Sequence, residues 1–567
     1  MDFSTRGLLG GRVRLSQVNL SGLRIHYFVD AQGRDNLPRS GKQGQSGDDV
    51  FLVSFLNLTG SLEFEDRSRG IAVRLPAWTA AARNVSPITA ESVTFRTTAP
   101  GSLRYQQFAG PLDSVELAGS LERDRVAISV LRVSSGESNA SASGAISNLA
   151  AAPRLQADVK ALLNLALLPA ASRPLEGAIE AALHASGPIA QPLIEGELSG
   201  VGLRVKDFGS FDAFIRPRFQ VGAKTLEVES LQVRYGGGEL NAKGTAGLDA
   251  ASATQINGQF RKLDLGRITR AAQAPMPVTS LAEGNLTVRF PGFDFRSATG
   301  AATIHLTPNA PPSRSTLPLE GTLRVSLRNG DVALSTESLE THGIRVAASA
   351  EMDRAGELSG NVEAAIASLQ RLTIASAGAL DGRATANLQL SGSLAEPAVS
   401  VTAAIFDLRT GQTRPMQLNA RLDATAKSME LHSATLSYQN RTLLEASGQL
   451  DFSGPVRGTA KASRLPVAVV REITGAGVPV DGAISGQLTI GGTTQSPEAA
   501  GHVSISGINA YSENFGQLDF DISFNARTLR LTGLEVRKPS GGVLKGDASY
   551  HLDDQRYRLS AQGAGIL

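Results

Sequence analysis

The amino-acid sequence predicts a mainly-β protein in which blocks of antiparallel strands, about 100 residues each, are joined by short helices. Three observations predict this fold class. Apolar and polar residues alternate with a period of two in short runs that end at Gly, Asn, Asp or Ser, as is typical of strands and turns. Two independent residue patterns recur at a common spacing, which indicates a repeat protein. Before each copy of the second pattern the apolar period lengthens to about three and a half, which indicates a helix.

The first repeated pattern is a pair of apolar residues separated by one polar residue, followed by a second such pair. In the segment 528–537, Leu529 and Leu531 share a face, Gly533 breaks the run, and Leu534 and Val536 resume it. The copies begin at positions 126, 226, 332, 429 and 529, so their spacings are 100, 106, 97 and 100. A sheet built from these runs would be apolar on one face and wetted on the other.

The apolar members of this pattern are the candidate lining of an apolar groove. They are Val126, Ile128, Leu131, Val133, Leu226, Val228, Leu231, Val233, Val332, Leu334, Met429, Leu431, Leu436, Leu529, Leu531, Leu534 and Val536. Leu339 also belongs to the third copy, and Gly144 and Gly244 follow Val133 and Val233 at the same interval. For any one position the residues leave two interpretations open, which are a closed hydrophobic core and a groove that a ligand can enter.

The second repeated pattern is an apolar residue, an acid and a glycine, then a short strand and another glycine. Its copies are Leu175-Glu176-Gly177 to Gly187, Ala282-Glu283-Gly284 to Gly292, Leu380-Asp381-Gly382 to Gly392, and Val480-Asp481-Gly482 to Gly492. Five residues after the closing glycine stand Pro192, Ser297, Pro397 and Pro497. Glycine permits turn conformations and proline fits the start or edge of a strand, so the pattern predicts hairpins.

A short amphipathic helix is predicted just before each copy of the second pattern. The apolar residues there are Leu162, Leu165 and Leu168, then Leu265 and Ile268, then Ile366, Leu369 and Leu372, and finally Val467, Val470 and Ile473. Pro466 stands where the first turn of a helix accepts proline. Each repeat would contain about seven or eight strands and one helix.

The two patterns divide the chain into six predicted regions. We expect an amino-terminal β region over residues 1–105 and repeats over 106–174, 175–280, 281–379, 380–479 and 480–567, the last of them truncated. Residues 1–19 contain no apolar run of the length that a signal peptide or a membrane-spanning helix needs.

The composition argues against several classes of function. Lys plus Arg number 55 and Asp plus Glu number 53, so no charge excess favours nucleic acid as a partner. Cysteine is absent, which excludes a disulfide framework, a thiolate zinc site and a Cys nucleophile. The seven histidines are scattered without a His-Glu-x-x-His pair, and we expect each to be an exposed strand residue. We therefore expect that the protein is not an enzyme and has no catalytic residues, cofactor or metal.

The first forty residues contain a strand, a glycine, a second strand and a short closing motif. These segments are Gly10-Gly11-Arg12-Val13-Arg14-Leu15, then Val18 to Tyr27 around Gly22, and Asp30 to Asn36-Leu37-Pro38. Together they resemble the amino-terminal region of AsmA-like and TamB-like envelope proteins. The repeats from about 110 to 567 are similar to the β-repeat body of the translocation and assembly module subunit TamB family.

The resemblance implies a β-taco, which is an elongated antiparallel sheet bent into a U-shaped groove with an apolar inner face. It implies a periplasmic location, an inner-membrane anchor through an amino-terminal helix that is absent from this chain, and an outer-membrane barrel partner. The function that we expect is passive phospholipid transport between the inner and outer membranes. Two alternatives stay open, which are assembly or translocation of outer-membrane or autotransported β-proteins, and a β-sandwich adhesin stalk.

Overall fold

The structure of the protein is a computed structural model in which the chain falls into two compact units. The structure describes residues 13–36, 51–105, 108–167, 175–205, 209–271, 277–313, 315–371, 380–393, 395–410, 414–474, 479–511, 513–525 and 527–565. The first unit comprises Met1–Ala274 and Asn285–Ala298, and the second comprises Pro275–Gly284 and Thr299–Leu567.

Strands make up most of both units. Those of the first unit are β1 (Val13–Val29), β2 (Phe51–Asp66), β3 (Ile71–Val85), β4 (Ala90–Thr97), β5 (Gly101–Tyr105), β6 (Phe108–Leu112), β7 (Ser114–Glu122), β8 (Arg125–Ser135), β9 (Ser138–Ser147), β10 (Arg154–Asn164), β11 (Leu175–Glu176), β12 (Ala178–Pro188), β13 (Leu193–Val205), β14 (Gly209–Gln220), β15 (Thr225–Tyr235), β16 (Gly238–Gly247) and β17 (Ala253–Asp264). Strand β18 (Ser280–Pro291) contributes residues to both units. Those of the second unit are β19 (Thr299–Pro308), β20 (Glu320–Arg328), β21 (Asp331–Thr341), β22 (Ile344–Met352), β23 (Leu358–Ile366), β24 (Leu380–Gly392), β25 (Pro397–Thr410), β26 (Met416–Thr425), β27 (Ser428–Tyr438), β28 (Arg441–Asp451), β29 (Val456–Pro466), β30 (Val480–Gly492), β31 (Pro497–Ala510), β32 (Glu513–Asn525), β33 (Thr528–Arg537), β34 (Val543–His551) and β35 (Tyr557–Ala564).

The predicted fold class is confirmed, because both units consist of open, mainly antiparallel sheet with short helices between repeating blocks. In the first unit each strand from β7 to β17 pairs antiparallel with its successor, except that β10 pairs with β12 across the two-residue β11. In the second unit the same meander runs from β19 to β35. Among the described residues β35 pairs only with β34.

The first strand pair departs from the antiparallel rule. Strands β1 and β2 run parallel, with Val13 opposite Phe51 and Val29 opposite Asp66. A parallel pair needs a connection of about a dozen residues or more, and residues 30–50 supply that length. The two strands expected on either side of Gly22 are one strand, because the pairing shifts by a single residue there and β1 continues.

The number of strands agrees with the prediction in one block and is lower in another. In the first unit the described residues between Leu165–Leu167 and Leu265–Ala271 form seven strands, β11 to β17, and in the second unit those between Leu369–Arg371 and Val467–Thr474 form six, β24 to β29. Six is fewer than predicted because a glycine inside an apolar run was taken as the end of a strand. Gly533 lies within β33 with a φ of 62°, and the strand continues to Arg537.

A one-residue bulge occurs in all five copies of the first repeated pattern, at the same place in four of them and two residues later in the third. In β8, Ile128 lies opposite Gly144 and Leu131 lies opposite Ala142, so three steps on β8 match two steps on β9. Strict alternation would place Ile128 and Leu131 on opposite faces, and the extra residue returns them to one face. The equivalent shifts lie between Val228 and Leu231, Thr336 and Leu339, Leu431 and Ala434, and Leu531 and Leu534.

Glycines beside these bulges allow neighbouring strands to approach closely. A Cβ atom on Gly144 would lie 2.3 Å from the carbonyl oxygen of Gln156, and one on Gly448 would lie 2.6 Å from that of Arg457. Any larger residue would have to displace backbone atoms of the next strand. The regular interval between the apolar pattern and its glycine therefore reflects the cross-strand register.

The second repeated pattern marks hairpins, as predicted. Gly392 pairs with Pro397 and Gly492 pairs with Pro497, so each proline begins the second strand of a hairpin. Pro192 lies directly before β13. The proline therefore stands where a strand needs no backbone N–H from that residue.

Helical segments lie at all four predicted places. Two are α-helices, Leu265–Ala271 and Val467–Thr474, and two are 3-10 turns, Leu165–Leu167 and Leu369–Arg371. A further 3-10 turn, Phe295–Ser297, contains the serine that replaces proline in the second pattern. None of the helices within the described ranges is long and apolar enough to cross a membrane.

The boundaries of these segments differ from the prediction by a few residues. Leu162 lies inside β10 and Ile366 ends β23, and neither begins a helix, because cross-strand pairing extends to them. Pro466 is the last residue of β29, directly before the helix. Leu168 and Leu372 lie outside the described residues.

Asn36 closes the turn that follows β1. Its Oδ1 accepts a hydrogen bond from the Phe28 N–H at 2.9 Å, and its Nδ2 donates one to the His26 carbonyl at 2.8 Å. In the same turn the backbone N–H of Arg34 donates to the Asp30 carboxylate and lowers its pKa. The closing motif thus has a structural role at Asn36. Residues 10–12, 37 and 38 of the matched segments lie outside the described residues.

Candidate apolar groove

One face of the sheet carries uninterrupted rows of apolar side chains. In the first unit a row runs from Leu131 in β8 through Ala142 in β9 and Val159 in β10 to Leu183 in β12, each residue opposite the next. Apolar residues that face each other across strands exclude water from the space between them. We call this side of the sheet the apolar face.

In the second unit a row of alanines crosses seven consecutive strands of the apolar face. Its members are Ala364, Ala386, Ala403, Ala420, Ala434, Ala446 and Ala460. Larger residues form a neighbouring row, which includes Ile405, Leu418, Leu436 and Leu444. Because alanine side chains are short, the alanine row forms a floor that is lower than the row beside it.

The 17 predicted lining residues all lie on the apolar face. Sixteen of them are half-buried, and none is exposed. The exception is Leu436, which is 7% exposed and belongs to a closed cluster. A half-buried apolar side chain on a paired strand still presents surface to water, and covering that surface is favourable by about 25 cal/mol per Å².

A helix closes the apolar face of the second unit at one place. Val469 in the Val467–Thr474 helix is 4% exposed and packs in a cluster with Met416, Leu436, Leu443 and Leu465. Leu436 therefore contributes to a core here. This assignment corrects its predicted place among the groove-lining residues, because sequence periodicity does not show what covers a strand.

A hairpin closes the apolar face at the beginning of the first unit. Leu75, Trp78 and Leu112 form a buried cluster, with Phe95 packed against it at 5.6 Å between its ring centroid and that of Trp78. Leu112 ends β6, which pairs with β5, and β5 in turn pairs with the first half of β3. Val133, the last lining residue of the first copy, touches this cluster and borders the closed region.

The opposite face of the sheet is polar and carries exposed ion pairs. Examples are Glu337 with Arg324 at 2.8 Å and Glu197 with Arg216 at 2.7 Å. Such surface pairs contribute about 0–1 kcal/mol each. His342 does not fit the expectation of exposed histidines: it is 5% exposed, in the turn between β21 and β22, and its Nε2 lies 2.8 Å from the carbonyl oxygen of Thr316.

Each unit also has a cavity with a mixed lining. One of about 650 Å³ in the first unit is lined by charged or polar residues such as Arg96 and by apolar ones such as Phe95. One of about 620 Å³ in the second unit is lined by Arg345, which forms an ion pair with Glu340 at 3.0 Å, and by apolar residues such as Phe406. Neither lining gathers the polar groups of a catalytic site.

No other arrangement in the described ranges suggests chemistry. No group of three or more His, Asp or Glu side chains there is placed to hold a metal ion. No protein-family model matches the sequence. The apolar face is therefore the candidate functional site, and what it offers is a surface for binding.

The alanines and glycines of the apolar face were missed by the sequence analysis. Ala142, Ala434 and Gly448 lie on that face as directly as the leucines beside them. Small residues carry little hydrophobic signal, and the bulges change the alternation on which such an assignment depends. Once the bulge is included in the register, the residues that pair with each copy of the first pattern can be identified, and they include these alanines and glycines.

Proposed function

We propose that the protein carries phospholipid along its apolar face. Each methylene group of an acyl chain is penalised by about 0.8 kcal/mol in water. A continuous apolar surface removes that penalty at every position, so the barrier between neighbouring positions stays low. The head group can remain in water at the border of the sheet, and no catalytic residue is required.

The observation that carries this proposal is the half-buried state of sixteen lining residues across open sheet. If each repeat sealed its own interior, residues such as Ile128, Val228 and Leu531 would be buried as completely as Trp78 and Leu436 are. Their partial exposure supports a surface that a ligand completes. It gives less support to a stalk of closed β-sandwiches.

We also propose that the chain belongs with the AsmA-like and TamB-like envelope proteins and acts in the bacterial periplasm, between the inner and outer membranes. The support is the repeated open sheet together with the amino-terminal sequence motif that ends at Asn36-Leu37-Pro38. An inner-membrane anchor and an outer-membrane barrel partner follow from the same resemblance.

A second candidate function is the assembly of outer-membrane or secreted β-proteins. The observation that favours it is that the sixteen half-buried lining residues leave apolar surface to be covered. An unfolded β-strand carries alternating apolar side chains that can pack on such a surface. The apolar face would then shelter the apolar side of a nascent β-protein.

Photocrosslinking in cells would separate the two functions. Photoreactive residues at Val228, Leu431 and Leu531 should each capture phospholipid, because all three lie on the apolar face and are half-buried. Matched controls at Glu227, Glu430 and Arg530 lie next to them in the same strands and point to the polar face. Mass spectrometry of the adducts identifies the cargo.

The expected result is lipid adducts at the three apolar positions and few at the controls. Polypeptide adducts at the apolar positions would favour the assembly function. An absence of lipid adducts at all three positions, with the protein present at normal abundance, would overturn the transport proposal.

A further inference from the structure

The two ends of the paired strands form different borders of the apolar face. The helix border contains the four helical segments that precede the second pattern, and the ends of strands β8, β15, β27 and β33. The hairpin border is the opposite one, where these strands begin and where the 3-10 turn Phe295–Ser297 follows β18. At the helix border of the second unit the Val467–Thr474 helix packs onto the apolar face and buries Leu436 and Val469. The hairpin border has no α-helix in the described part of either unit.

Large apolar residues are exposed at equivalent places on the hairpin border. In the first unit Leu248 follows β16 and is 41% exposed. In the second unit Phe452 follows β28 and Leu552 follows β34, and both are 50% exposed. These places are one or two repeats apart in the sequence, so the exposure recurs in three of the five repeats, whereas Asn148 and Asp353 stand at the equivalent places in the other two.

The backbone holds each of these residues beside a base. The N–H groups of Leu248, Phe452 and Leu552 donate to the carbonyl oxygens of Lys224, Lys427 and Arg527, at 2.8, 3.0 and 3.0 Å. Each base directly precedes the bulged strand of its repeat. An apolar side chain and a cation are thereby fixed next to each other at the border of the apolar face.

Each base is also paired with an acid. Lys224 lies 3.4 Å from Asp249, Lys427 lies 2.7 Å from Glu396, and Arg527 contacts Asp553. The three bases are between 70% and 79% exposed, so a ligand can reach them. Each of the three places thus combines a positive charge, a negative charge and an apolar side chain.

We propose that the hairpin border seats the head groups of zwitterionic phospholipids, with the phosphate on the base and the ammonium group on the acid. The exposed leucine or phenylalanine then contacts the first part of the acyl chain. This inference rests on the proposed function and adds to it the border that the head groups occupy and their charge class. An anionic head group lacks the ammonium and would meet the carboxylate without compensation.

Photocrosslinking can locate the border. Photoreactive residues at Leu248, Phe452 and Leu552 should capture phospholipid, whereas one at Tyr511 should not. Tyr511 is a suitable control because it is 77% exposed and lies at the helix border, between β31 and β32. Equal or stronger lipid capture at Tyr511 would overturn the assignment of the border.

A charge reversal can test the head-group class. The triple variant Lys224→Glu, Lys427→Glu and Arg527→Glu should take up phosphatidylethanolamine from vesicles about two to five times less well, the effect expected of exposed ion pairs. Combining it with Asp249→Lys, Glu396→Lys and Asp553→Lys should restore uptake, because the exchanged pairs still match a zwitterion. Reversal of a polar-face base, Arg383→Glu, serves as the control.

The outcomes distinguish this inference from the proposed function. Lipid adducts at Val228, Leu431 and Leu531 without adducts at the hairpin border would contradict the inference and leave transport standing. Unchanged uptake by the triple variant, or equal uptake of phosphatidylglycerol and phosphatidylethanolamine by the unmodified protein, would contradict the head-group class. An absence of lipid everywhere would remove both.

Discussion

The strands around Trp78 and those that follow them share one alternating pattern and differ in what covers it. Around Trp78 the β5–β6 hairpin places Leu112 over the apolar face, and Trp78 is 4% exposed. From β7 onward no hairpin of this kind branches from the meander in the described residues of the first unit, and Ile128 and Leu131 are half-buried. Alternation therefore specifies which face is apolar. The covering element decides whether that face becomes a core or a groove.

The same contrast occurs within a single strand of the second unit. Leu431 and Leu436 both lie on the apolar face of β27, on either side of its bulge. Leu436 is covered by the Val467–Thr474 helix, and Leu431 is half-buried on the side of the hairpin border. This pair of leucines allows the two environments to be compared by equal substitutions.

The largest effect is expected from Leu436→Ala. This substitution should lower the free energy of unfolding by about 2–5 kcal/mol, because it leaves a cavity under the helix. Leu431→Ala should lower the free energy of unfolding by only about 1 kcal/mol, because the Leu431 side chain buries less apolar surface on the open face than Leu436 buries under the helix. Urea denaturation of the two variants measures both losses. Equal losses would mean that Leu431 lies in a closed core.

A smaller effect is expected for the glycine beside the bulge of β8. Gly144→Val should lower the free energy of unfolding by about 1–3 kcal/mol, because its side chain would collide with the backbone of β10. Gly491→Ala is the control, since a Cβ atom there has nothing within 4 Å. A neutral Gly144→Val variant would contradict the close approach of strands at the bulge.

Much of this fold was predictable from the sequence, because both repeated patterns and all four helical positions are encoded locally. The count of six strands in the β24–β29 block was not, since glycines such as Gly533 resemble a turn although they lie in a bulge. The parallel pairing of β1 with β2 depends on a connection of 21 residues, 30–50, whose path no local pattern specifies. The apolar face was predictable as a set of leucines and valines, whereas the closing of that face over Leu436 depends on a contact between distant segments.

The smallest expected effect concerns the polar face. The hydrogen bonds from Ser400 and, next in size, from His432 lower the pKa of Asp423. The folded state therefore favours the charged carboxylate, and the stability it contributes is present above the ordinary pKa of Asp and is lost as the pH falls through the lowered value. Asp423→Asn should slightly reduce the loss in free energy of unfolding that occurs at acid pH. It should leave lipid capture at position 431 unchanged. Loss of lipid capture in this variant would implicate the polar face in binding.

Fluorescence quenching by brominated phospholipid tests most directly whether the apolar face is an open groove. Trp78 is the only tryptophan of the chain, so a Leu431→Trp variant in a Trp78→Phe background reports on the open face, and the unmodified protein reports on the closed cluster. We predict strong quenching of the tryptophan at position 431 and little quenching of Trp78. Quenching that is equally weak at both positions, in folded protein, would show that the face around Leu431 is sealed and would contradict the groove.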